Sequence, residues 1–352
     1  MNVLVIGYGL AGAWLVRSLQ EAGAVVTAVD AADASSASRV AAGIINPLTG
    51  KRLKPTWEGE LLWHDAVREY RRLEQDFGID VFRPLRLRRV FRDQESLMWF
   101  GKRRDDPERA WMTLEAMEAG VHDGIRYPFG GYEQHEAAAV DIPALLDAGR
   151  KRLIDTEAYI QAMVSPEEVV EHGDTVVWNG RSFDTVIWCE GHSMLRHPLW
   201  SWLPLEPVKG EILDVEIPGF DVPYIVSSGI WCVPDRNGAY RYRIGSTYDW
   251  DHLDVDATDA ARRALLDDAR DLFGRDIVVH DQRAGIRPAA KSKRPFLGRH
   301  PERPCHAIMN GLGTKGSLLA PYFARQLARH LVLGEALHPE TTVLRWWNHD
   351  VR

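Results

Sequence analysis

The sequence predicts an α/β protein in which a nucleotide-binding domain is interleaved with a second, α+β domain rich in strands. Three observations lead to this prediction. The chain begins with a strand, a glycine-rich turn, a helix and a second strand. Another glycine-rich turn lies between a strand and a helix within residues 306–333. Short strands and single helices occupy the chain between these motifs, so the two domains are expected to be interwoven rather than consecutive.

The first thirty residues carry the pattern of a dinucleotide-binding fold. Residues 3–6 are an apolar run typical of a buried strand, and Gly7, Gly9 and Gly12 follow it. Gly7 permits a tight turn, Gly9 allows the backbone to approach a pyrophosphate, and Gly12 allows the helix to pack closely on the strand. The helix directs its unpaired N–H groups at the phosphates. Asp30 ends the next strand, where a carboxylate accepts hydrogen bonds from ribose hydroxyls. The alternative is a glycine-rich turn in an ordinary α/β protein.

Composition narrows the class of protein. The 352 residues carry a net charge of −7, which argues against a broad nucleic-acid-binding surface. The three cysteines are scattered and odd in number, so no disulfide framework is expected. They do not combine with histidines at metal-ligand spacings, and we expect no metal site. The first strand leaves no room for a signal peptide, and no apolar run is long enough to span a membrane. We therefore expect a cytoplasmic protein.

The remaining elements follow from periodicity and turn residues. Helices are predicted at residues 57–77, 141–153 and 257–273, and from the second glycine-rich turn to about residue 333. Strands are predicted at residues 81–91, in a β-meander of 169–170, 176–178 and 186–188, and at 230–234 and 240–245 across an Asn237-Gly238 turn. The nucleotide-binding domain is predicted to comprise residues 1–55, 135–200 and 282–352, and the second domain residues 56–134 and 201–281.

The second glycine-rich turn, residues 311–316, lacks what a second dinucleotide site requires. No further strand ending in an acidic residue follows its helix. We therefore expect the helix start to present amide N–H groups to an electron-rich group. For a flavin, that group is the pyrimidine end, where negative charge develops on reduction, and Lys315 would add to the positive field. The alternative is a helix start that only packs.

An arginine-proline segment provides a candidate for substrate binding. Arg287 is followed by Pro288, and a guanidinium held in place can bind a carboxylate through two hydrogen bonds. The alternative is an ordinary surface arginine.

Several segments occur in an order that resembles one protein family. They are residues 38–47 (SRVAAGIINP), 207–211 (PVKGE), 245–247 (GST), 285–288 (GIRP) and 311–321. Together with the N-terminal motif they resemble the D-amino-acid oxidase and glycine oxidase family of FAD-dependent amine oxidoreductases, over nearly the whole chain. The resemblance implies a glutathione-reductase-like Rossmann domain that binds FAD. It also implies a substrate domain whose large mixed sheet covers the flavin.

The resemblance further implies which residues contact FAD. On the ADP half these are Gly7, Gly9, Leu10, Ala11, Gly12 and Asp30, with Val164 at the adenine and Gly191 at the middle of the cofactor. Along the flavin they are Ser38, Arg39, Ala42, Gly43 and Ile44, and at its pyrimidine edge Gly311, Gly313, Thr314, Lys315, Gly316 and Ser317. No cysteine lies in the arginine-proline segment, where sarcosine-type relatives attach the flavin, so the FAD is expected to be noncovalent.

Three residues are candidates for the catalytic site. Arg287 matches the family's carboxylate-binding arginine, and Lys315 is expected to stabilise the reduced flavin. Trp231 stands three residues before the proline of the roof strand, where amino-acid oxidases often have a tyrosine. Its indole can donate a hydrogen bond but fills more volume. Ser292 replaces an aspartate that is common after the arginine-proline motif, and both differences bear on which amino acid is accepted.

The activity implied is oxidation of the C–N bond of an amino acid or a carboxylated secondary amine. Arg287 would hold the carboxylate, hydride would pass to flavin N5, and the imine would be hydrolysed by water. O2 is the expected electron acceptor, and the sequence does not specify an oligomeric state. The alternatives are a dehydrogenase that uses another acceptor, a tRNA-modifying oxidase, and a non-enzymatic nucleotide-binding protein.

The tRNA alternative depends on a basic cluster in an acidic chain. A related oxidase domain removes a carboxymethyl group from a tRNA wobble uridine and has a segment similar to residues 313–316. The cluster comprises Arg83, Arg86, Arg88, Arg89, Arg92, Lys102, Arg103 and Arg104. It is either a solvated strand face, tempered by nearby acidic residues, or a docking patch for a polyanion. We expect the former and a small-molecule substrate, with tRNA as the remaining option.

Overall fold

The structure is a computed structural model that describes residues 1–236 and 238–347. Its helices are α1 (Leu10–Glu21), α2 (Ala37–Val40), α3 (Gly59–Phe77), α4 (Gln94–Lys102), α5 (Ile142–Asp155), α6 (Asp259–Phe273) and α7 (Gly316–Leu333). Short 3-10 turns occur at Pro107–Arg109, Pro166–Glu168, Gly191–Arg196, Gly313–Lys315 and Val343–Trp346.

The strands are mostly short. They are β1 (Asn2–Ile6), β2 (Val25–Asp30), β3 (Ile44–Ile45), β4 (Leu48–Thr49), β5 (Lys54–Pro55), β6 (Phe82–Pro84), β7 (Leu87–Val90), β8 (Leu114–Met117), β9 (Gly120–His122), β10 (Ile125–Tyr127), β11 (Gly131–Gln134), β12 (Ala138–Val140), β13 (Tyr159–Gln161), β14 (Val170–His172), β15 (Thr175–Trp178), β16 (Arg181–Phe183), β17 (Thr185–Trp188), β18 (Val208–Glu216), β19 (Ile225–Ser228), β20 (Ile230–Pro234), β21 (Arg241–Gly245), β22 (Val278–Arg287), β23 (Phe296–Arg299) and β24 (His306–Asn310).

A six-stranded sheet forms the centre of the nucleotide-binding domain, in the order β13-β2-β1-β17-β24-β23. Five strands are parallel, and only β23 runs antiparallel to its neighbour. Side chains alternate along β1, so Val3 and Val5 pack among the helices α1, α5 and α7. Leu4 and Ile6 pack on the opposite face against the β14-β15-β16 meander. The predicted α/β fold is therefore confirmed.

A mixed eight-stranded sheet forms the second domain, in the order β22-β18-β21-β20-β19-β7-β11-β8. It is mixed because β19 runs parallel to β7. One face packs against α6 through Leu265 and Ala269. The other face turns toward the nucleotide-binding domain, since Gly285 of β22 lies beside Val40 of α2. We call this inward-facing surface the roof face.

Two strand predictions are wrong in detail. Residues 81–91 form two strands in different sheets, β6 beside β12 and β7 in the eight-stranded sheet. Pro84 ends β6, and proline has no N–H with which to continue a ladder. Residues 186–188 do not extend the meander, because β17 lies between β1 and β24 in the parallel sheet. Its four residues are all buried, as expected for a strand covered on both faces.

Two of the predicted helices, α5 and α6, begin at side-chain caps. Asp141 accepts a hydrogen bond from the Ala144 amide at the start of α5, and Thr258 does the same for Ala261 at the start of α6. The Asn237-Gly238 turn lies partly outside the described residues, since residue 237 is not described. In the described part of the chain, each helix is too short or too polar to cross a membrane.

The division into domains remains a proposal, and the structure supplies one fact that bears on it. The boundary placed between residues 281 and 282 falls inside β22, a single ten-residue strand. Arg287, at the end of that strand, therefore belongs to the eight-stranded sheet.

Two buried histidines beside Trp188 make the fold sensitive to acid. The Trp188 indole N–H donates to Nδ1 of His306 at 3.1 Å, and the His197 ring lies 4.3 Å from the indole centroid. Burial lowers the pKa of each histidine to about 4. Both are therefore neutral in the folded protein, while the unfolded chain takes up protons near pH 6.5.

We expect the free energy of unfolding to fall as the pH drops from about 6.5 to about 4. The loss is roughly 1.4 kcal/mol per pH unit for each histidine, because only the unfolded chain binds the proton. His306→Gln should reduce this slope in urea unfolding at pH 6.5, 5.5 and 4.5. His172→Gln, at an exposed position, serves as the control. Equal slopes in wild type and His306→Gln would contradict the prediction.

Candidate active site

The predicted site residues converge at the carboxyl ends of the parallel strands. β1, β2, β17 and β24 end at the same edge of the six-stranded sheet, which is where open α/β sheets bind ligands. The first turns of α1 and α7 meet at this edge, because the Cβ position of Gly316 lies 3.2 Å from the Leu10 side chain. Two helix N-termini thus point into one region, and each favours negative charge.

Three glycines are required by close backbone packing. A Cβ at Gly12 would overlap the carbonyl oxygen of Gly7, and a Cβ at Gly43 would overlap that of Val140. Gly7 itself has φ +95°, and its Cβ position lies 2.5 Å from the Cys189 carbonyl oxygen. Any larger residue at these positions would move backbone.

Gly9 and Gly191 differ from those three glycines because the space beside them is open. The Cβ position of Gly9 has only the Ser38 side chain within 4 Å, with Oγ at 3.0 Å, and that of Gly191 has no atom within 4 Å. Ser38 Oγ also accepts a hydrogen bond from the Leu10 amide at 2.9 Å, which brings the small-residue segment to the start of α1. Two glycines with open space at the strand ends leave room for a ligand's backbone contacts.

Asp30 lies at the end of β2, as predicted, and already has partners. Oδ1 accepts from the Tyr8 amide at 2.8 Å, and Oδ2 accepts from the Ala32 amide at 3.0 Å. Arg150 approaches Oδ2 at 3.5 Å. The Tyr159 hydroxyl donates to Oδ2 at 3.4 Å, and these contacts together orient the carboxylate at the end of β2.

The second glycine-rich turn connects the two domains. The Gly313 amide donates to the carbonyl of Pro288 at 3.0 Å, so the turn touches the end of the arginine-proline segment. The side chain of Asn310 donates to the carbonyl of Gly191 at 2.8 Å. These two bonds bring Gly191, the turn at 311–316 and Arg287 into one region that the sequence alone presents as three separate segments.

The remaining predicted contact residues lie around this edge. Val164 is buried just beyond β13, and Arg39 of α2 forms an ion pair with Asp147 of α5. Ala42 and Ile44 pack beneath the roof face with the side chain of Trp231. Ala11 lies in the first turn of α1, and Gly311 has φ +78°. Thr314 is exposed, and the Ser317 carbonyl accepts a hydrogen bond from the hydroxyl of Tyr70.

Lys315 projects from the second glycine-rich turn toward α3. Its ammonium donates to the hydroxyl of Thr56. Burial lowers the pKa of Lys315 to about 8, and repulsion from Lys293 and Arg294 contributes. The ammonium has no ion-pair partner among the residues that the structure describes, so its charge is available to a nearby anion.

Glu190 places an unusual carboxyl group at the end of β17. Burial raises its pKa to about 7, so a larger share of the group is neutral near pH 7 than for an ordinary carboxyl. A neutral side chain here avoids repulsion with anionic groups bound at the strand ends.

Arg287 extends from β22 across the roof face. Its guanidinium covers Gly210 of β18, where a Cβ would overlap it. One nitrogen donates to the Thr247 carbonyl at 3.4 Å, and the guanidinium carbon lies 4.9 Å from the centroid of the Tyr248 ring. Burial lowers the pKa of Arg287, and within residues 1–236 and 238–347 it forms no ion pair. A half-buried guanidinium with free donors is suited to binding a carboxylate.

Trp231 occupies the middle of the roof face. Its ring lies over Gly245 of β21, whose Cβ position is 2.6 Å from the indole. Only glycine at 245 leaves room for the ring. Tyr248, which covers Arg287 and is 51% exposed, was not predicted from sequence. No local pattern marks it, because its partner lies some forty residues along the chain.

The basic cluster is partly neutralised by acidic neighbours. Four of its arginines form ion pairs: Arg86 and Arg88 with Glu133, Arg92 with Asp268, and Arg103 with Asp106. Two others donate hydrogen bonds to neutral groups, Arg83 to the Pro234 carbonyl and Arg89 to the Ser227 hydroxyl. Lys102 lies over the Trp99 ring. Four of the eight basic residues therefore form ion pairs, which reduces the positive charge that the cluster offers to a polyanion.

One trio of described residues has the composition of a metal site. Glu115, Glu133 and His135 bring ligand atoms within 4.8 Å of one another. However, both carboxylate oxygens of Glu133 accept hydrogen bonds from Arg86 and Arg88, at 2.8 and 2.6 Å. The trio is explained as part of that ion-pair network.

The fold and site define a class: an enzyme with a Rossmann-type nucleotide cradle covered by a mixed sheet that carries a half-buried arginine without an ion-pair partner among the described residues. Residues 2–330 match the family model described as FAD dependent oxidoreductase (DAO), and the chain belongs to this family. The open space at Gly9 and Gly191 and the two helix N-termini fit an FAD molecule. The family, the FAD cofactor and the enzyme class expected from sequence are confirmed.

Individual relatives agree with this assignment. Glycine oxidase of Pseudomonas aeruginosa is 28% identical over 93% of this chain and 93% of its own length. A tRNA 5-methylaminomethyl-2-thiouridine biosynthesis bifunctional protein MnmC of Marinobacter nauticus is 26% identical over 93% of this chain, which spans 54% of that relative. Among solved structures, iminodiacetate oxidase of Chelativorans sp. BNC1 has a TM-score of 0.79 at 23% identity over 96% of each chain. Glycine oxidase of Geobacillus kaustophilus has 0.77 at 19% over 95% of each chain.

Proposed function

We propose that this enzyme oxidises the C–N bond of an amino acid or a carboxylated secondary amine, with FAD bound noncovalently and O2 as the electron acceptor. The observation that carries the proposal is Arg287. It is a half-buried arginine on the roof face with free donors, and a hydrogen bond joins Pro288, the next residue, to Gly313 at the helix start expected beside the flavin.

The roles of the chain's residues follow from their positions. Arg287 binds the substrate carboxylate, and the Tyr248 ring stabilises the guanidinium from one side by a cation–π contact. Trp231 limits the space beside the substrate's α-carbon and excludes water from it. FAD supplies the redox chemistry, accepting hydride from the carbon next to nitrogen. Water then hydrolyses the imine product, and we assign no side-chain base because a neutral amine needs none.

FAD is held in this proposal by the residues at the strand ends. Gly9 and the first turn of α1 bind the pyrophosphate, Asp30 the ribose, Gly191 the middle of the cofactor, and residues 311–317 the pyrimidine edge. The three cysteines are all buried, and none of them lies in the arginine-proline segment, which supports a noncovalent cofactor.

A tRNA-linked amine is the second candidate, favoured by the similarity to the tRNA biosynthesis protein of Marinobacter nauticus. We prefer a small molecule because Arg86 and Arg88 are engaged by Glu133 and Arg89 donates to the Ser227 hydroxyl. Electrophoresis of the protein with bulk tRNA separates the two. A shift at physiological salt that is absent with a double-stranded DNA of similar charge would favour the tRNA-linked substrate.

The experiment that tests the proposal is anaerobic reduction of the purified yellow protein. Carboxylated amines should bleach the flavin absorbance, whereas their ethyl esters, which cannot bind Arg287 as carboxylates, should not. Acid precipitation should release FAD into the supernatant, and oxygen uptake should accompany turnover in air. Failure of every carboxylated amine to bleach the flavin would remove the proposed activity.

Lys315→Met is expected to lower the flavin reduction potential at pH 7 by roughly 30–60 mV. For a two-electron couple this is about 1.4–2.8 kcal/mol, the interaction of one nearby charge with the reduced flavin anion. Because the pKa of Lys315 lies at about 8, the difference from wild type should shrink above that pH. Lys291→Met, at an exposed lysine paired with Glu206, is the control. An unchanged potential and unchanged sulfite affinity would show that the helix amides act without Lys315.

A further inference from the structure

Two exposed aromatic side chains lie beside Arg287. Tyr248 is 51% exposed and Trp250 is 62% exposed, and their rings stack on each other with centroids 5.8 Å apart and planes inclined by 25°. The Arg287 guanidinium carbon lies 4.9 Å from the centroid of the Tyr248 ring. We call Tyr248 and Trp250 the aromatic pair. Large apolar groups that are exposed together, rather than singly, are typical of a binding surface.

Backbone hydrogen bonds fix the position of Tyr248. The residue belongs to the segment that connects β21 to α6, and the start of this segment pairs with β18. The Asp249 amide donates to the Lys209 carbonyl at 3.0 Å, and the Lys209 amide donates to the Asp249 carbonyl at 2.8 Å. On the other side of Tyr248, the Thr247 hydroxyl accepts a hydrogen bond from the Glu211 amide at 2.9 Å. Tyr248 therefore lies between two anchored residues, and little conformational entropy is lost there when a ligand binds.

The turn that follows places a carboxylate on either side of Trp250 in the chain. The carboxylate of Asp249 accepts hydrogen bonds from the amides of Asp251 and His252, at 2.9 and 3.0 Å, which holds the backbone around Trp250. Hydrogen bonds from the His252 and Asp251 amides also lower the pKa of Asp249. Asp251 is exposed. Because like charges repel, the two carboxylates disfavour an acidic ligand group at this place.

A cationic ligand group is also less suited to the aromatic pair than a neutral ring. A cation over an exposed aromatic face gains a modest attraction. A second aromatic ring gains a comparable contact and also removes apolar area from water. The exposed area of Tyr248 and Trp250 therefore favours a neutral aromatic group.

A ligand held by Arg287 can reach the aromatic pair. A carboxylate carbon bound to the guanidinium lies about 4 Å from its central carbon, and therefore at most about 9 Å from the Tyr248 centroid. A phenyl ring attached three bonds from that carboxylate carbon has its centroid about 5 Å away, from bond lengths of about 1.5 Å. Interacting rings have centroids about 4.5–7 Å apart, so the two spans together cover the separation. Trp250 comes within the same range, because its centroid is 5.8 Å from that of Tyr248.

We propose that the substrate is a carboxylated amine with a neutral aromatic substituent, and that Tyr248 and Trp250 bind this substituent while Arg287 binds the carboxylate. The proposal rests on the proposed amine oxidation and names its substrate class. The direct contact between Tyr248 and Arg287 favours a group carried by the substrate itself over a separate partner. An aromatic amino acid or an N-arylalkyl glycine has the required chemistry.

The first test measures binding without turnover. The flavin absorbance of the holoenzyme is titrated with 3-phenylpropionate and with propionate, which differ by one phenyl ring. The phenyl compound should bind at least about tenfold more tightly, as expected from one aromatic contact and the area that it buries. Trp250→Ala should reduce this ratio of affinities at least about fivefold, and Trp250→Phe should restore most of it. Equal affinities in wild type, or an unchanged ratio in Trp250→Ala, would overturn the proposal.

The matched control is another exposed aromatic residue of the same sheet. Tyr240 is 40% exposed and lies just before β21, at the opposite end of that strand from Gly245 and the aromatic pair. Tyr240→Ala should retain the wild-type ratio of affinities. Loss of the ratio in this variant as well would show that the preference does not come from the aromatic pair.

Three further measurements distinguish other roles of Trp250. Preference for 5-aminopentanoate over pentanoate, lost in Trp250→Ala, would replace the aromatic substituent with a cationic one. Sedimentation that shows concentration-dependent association only in wild type, with an unchanged ratio of affinities in Trp250→Ala, would assign the residue to an interface between copies. The two proteins should unfold within about 2 °C of each other, because exposed substitutions change stability little. A large drop with an unchanged ratio would show that Trp250 only packs.

Turnover then distinguishes this inference from the proposed function. Either racemic phenylalanine should exceed racemic alanine, or N-benzylglycine should exceed sarcosine, by at least about tenfold in kcat/KM for flavin reduction, and Trp250→Ala should remove most of the advantage. Reduction by all four amines without such an advantage, at rates unaffected by Trp250→Ala, would leave the proposed function standing and overturn the role of the aromatic pair. A preference for 3-phenylpropionate that depends on Trp250, without reduction by any amine, would support the aromatic pair and overturn the proposed oxidation.

Discussion

Replacing Arg287 with alanine is expected to lower kcat/KM for carboxylated amines by at least about a hundredfold. Two charge-assisted hydrogen bonds of roughly 1.5–3 kcal/mol each are lost with the guanidinium. Arg287→Lys keeps the charge but not the paired donors, so its kcat/KM should fall between those of wild type and Arg287→Ala. The measurement is the rate of anaerobic flavin reduction as a function of amine concentration.

The control for this prediction lies in the same strand. Arg283 is four residues before Arg287 in β22 and pairs with Asp214 and Asp281, so Arg283→Ala should leave kcat/KM within a fewfold of wild type. Flavin content should be the same in all three variants, which separates substrate binding from loss of cofactor. Wild-type rates in Arg287→Ala would assign the carboxylate to another residue and remove the basis for an amino-acid substrate.

Substitutions of Gly12 and Gly9 are both expected to abolish FAD binding, but for different reasons. Gly12→Ala would drive a methyl group into the Gly7 carbonyl and should destabilise the whole domain by about 3 kcal/mol or more, with loss of FAD. Gly9→Val meets only the Ser38 side chain, which can rotate, so the ligand-free protein should fold. It should nevertheless fail to retain FAD, because the side chain occupies the space of the pyrophosphate.

Two measurements check the predictions for Gly12→Ala and Gly9→Val. They are thermal unfolding of the ligand-free proteins and the ratio of flavin to protein absorbance. Gly101→Ala, in α4 with no atom within 4 Å of its Cβ position, should match wild type in both measurements. Full FAD occupancy in Gly9→Val would show that the cofactor does not approach the turn at this residue.

Much of the fold could be predicted because its signals are local. The strand–turn–helix motif at residues 2–30 lies where the structure has β1, α1 and β2. The helix predicted at 257–273 begins at 259 after its Thr258 cap. The pairing of β17 with both β1 and β24 could not be predicted, because parallel neighbours are joined through long connections. The split at Pro84 was missed because the alternating pattern continues on either side of the break.

At the site, the sequence likewise did not predict which charged residues have ion-pair partners. Five arginines between residues 83 and 92 look alike in sequence, yet Arg86 and Arg88 are paired with Glu133 while Arg89 is not. Their partners come from β11 and from α6, more than forty residues away. Free energies of ion pairing depend on these distant neighbours, which local spacing does not specify.

The sequence by itself therefore determined the cofactor cradle, since Gly7, Gly9 and Gly12 act through backbone geometry within one turn of chain. It also singled out Arg287 through the proline that follows it. Only the tertiary structure decided which charged groups are left without a partner. Burial and pairing are properties of the packed sheets: Arg88 is neutralised by Glu133 on the outer face of β7, whereas Arg89 on its roof face has the Ser227 hydroxyl as a partner.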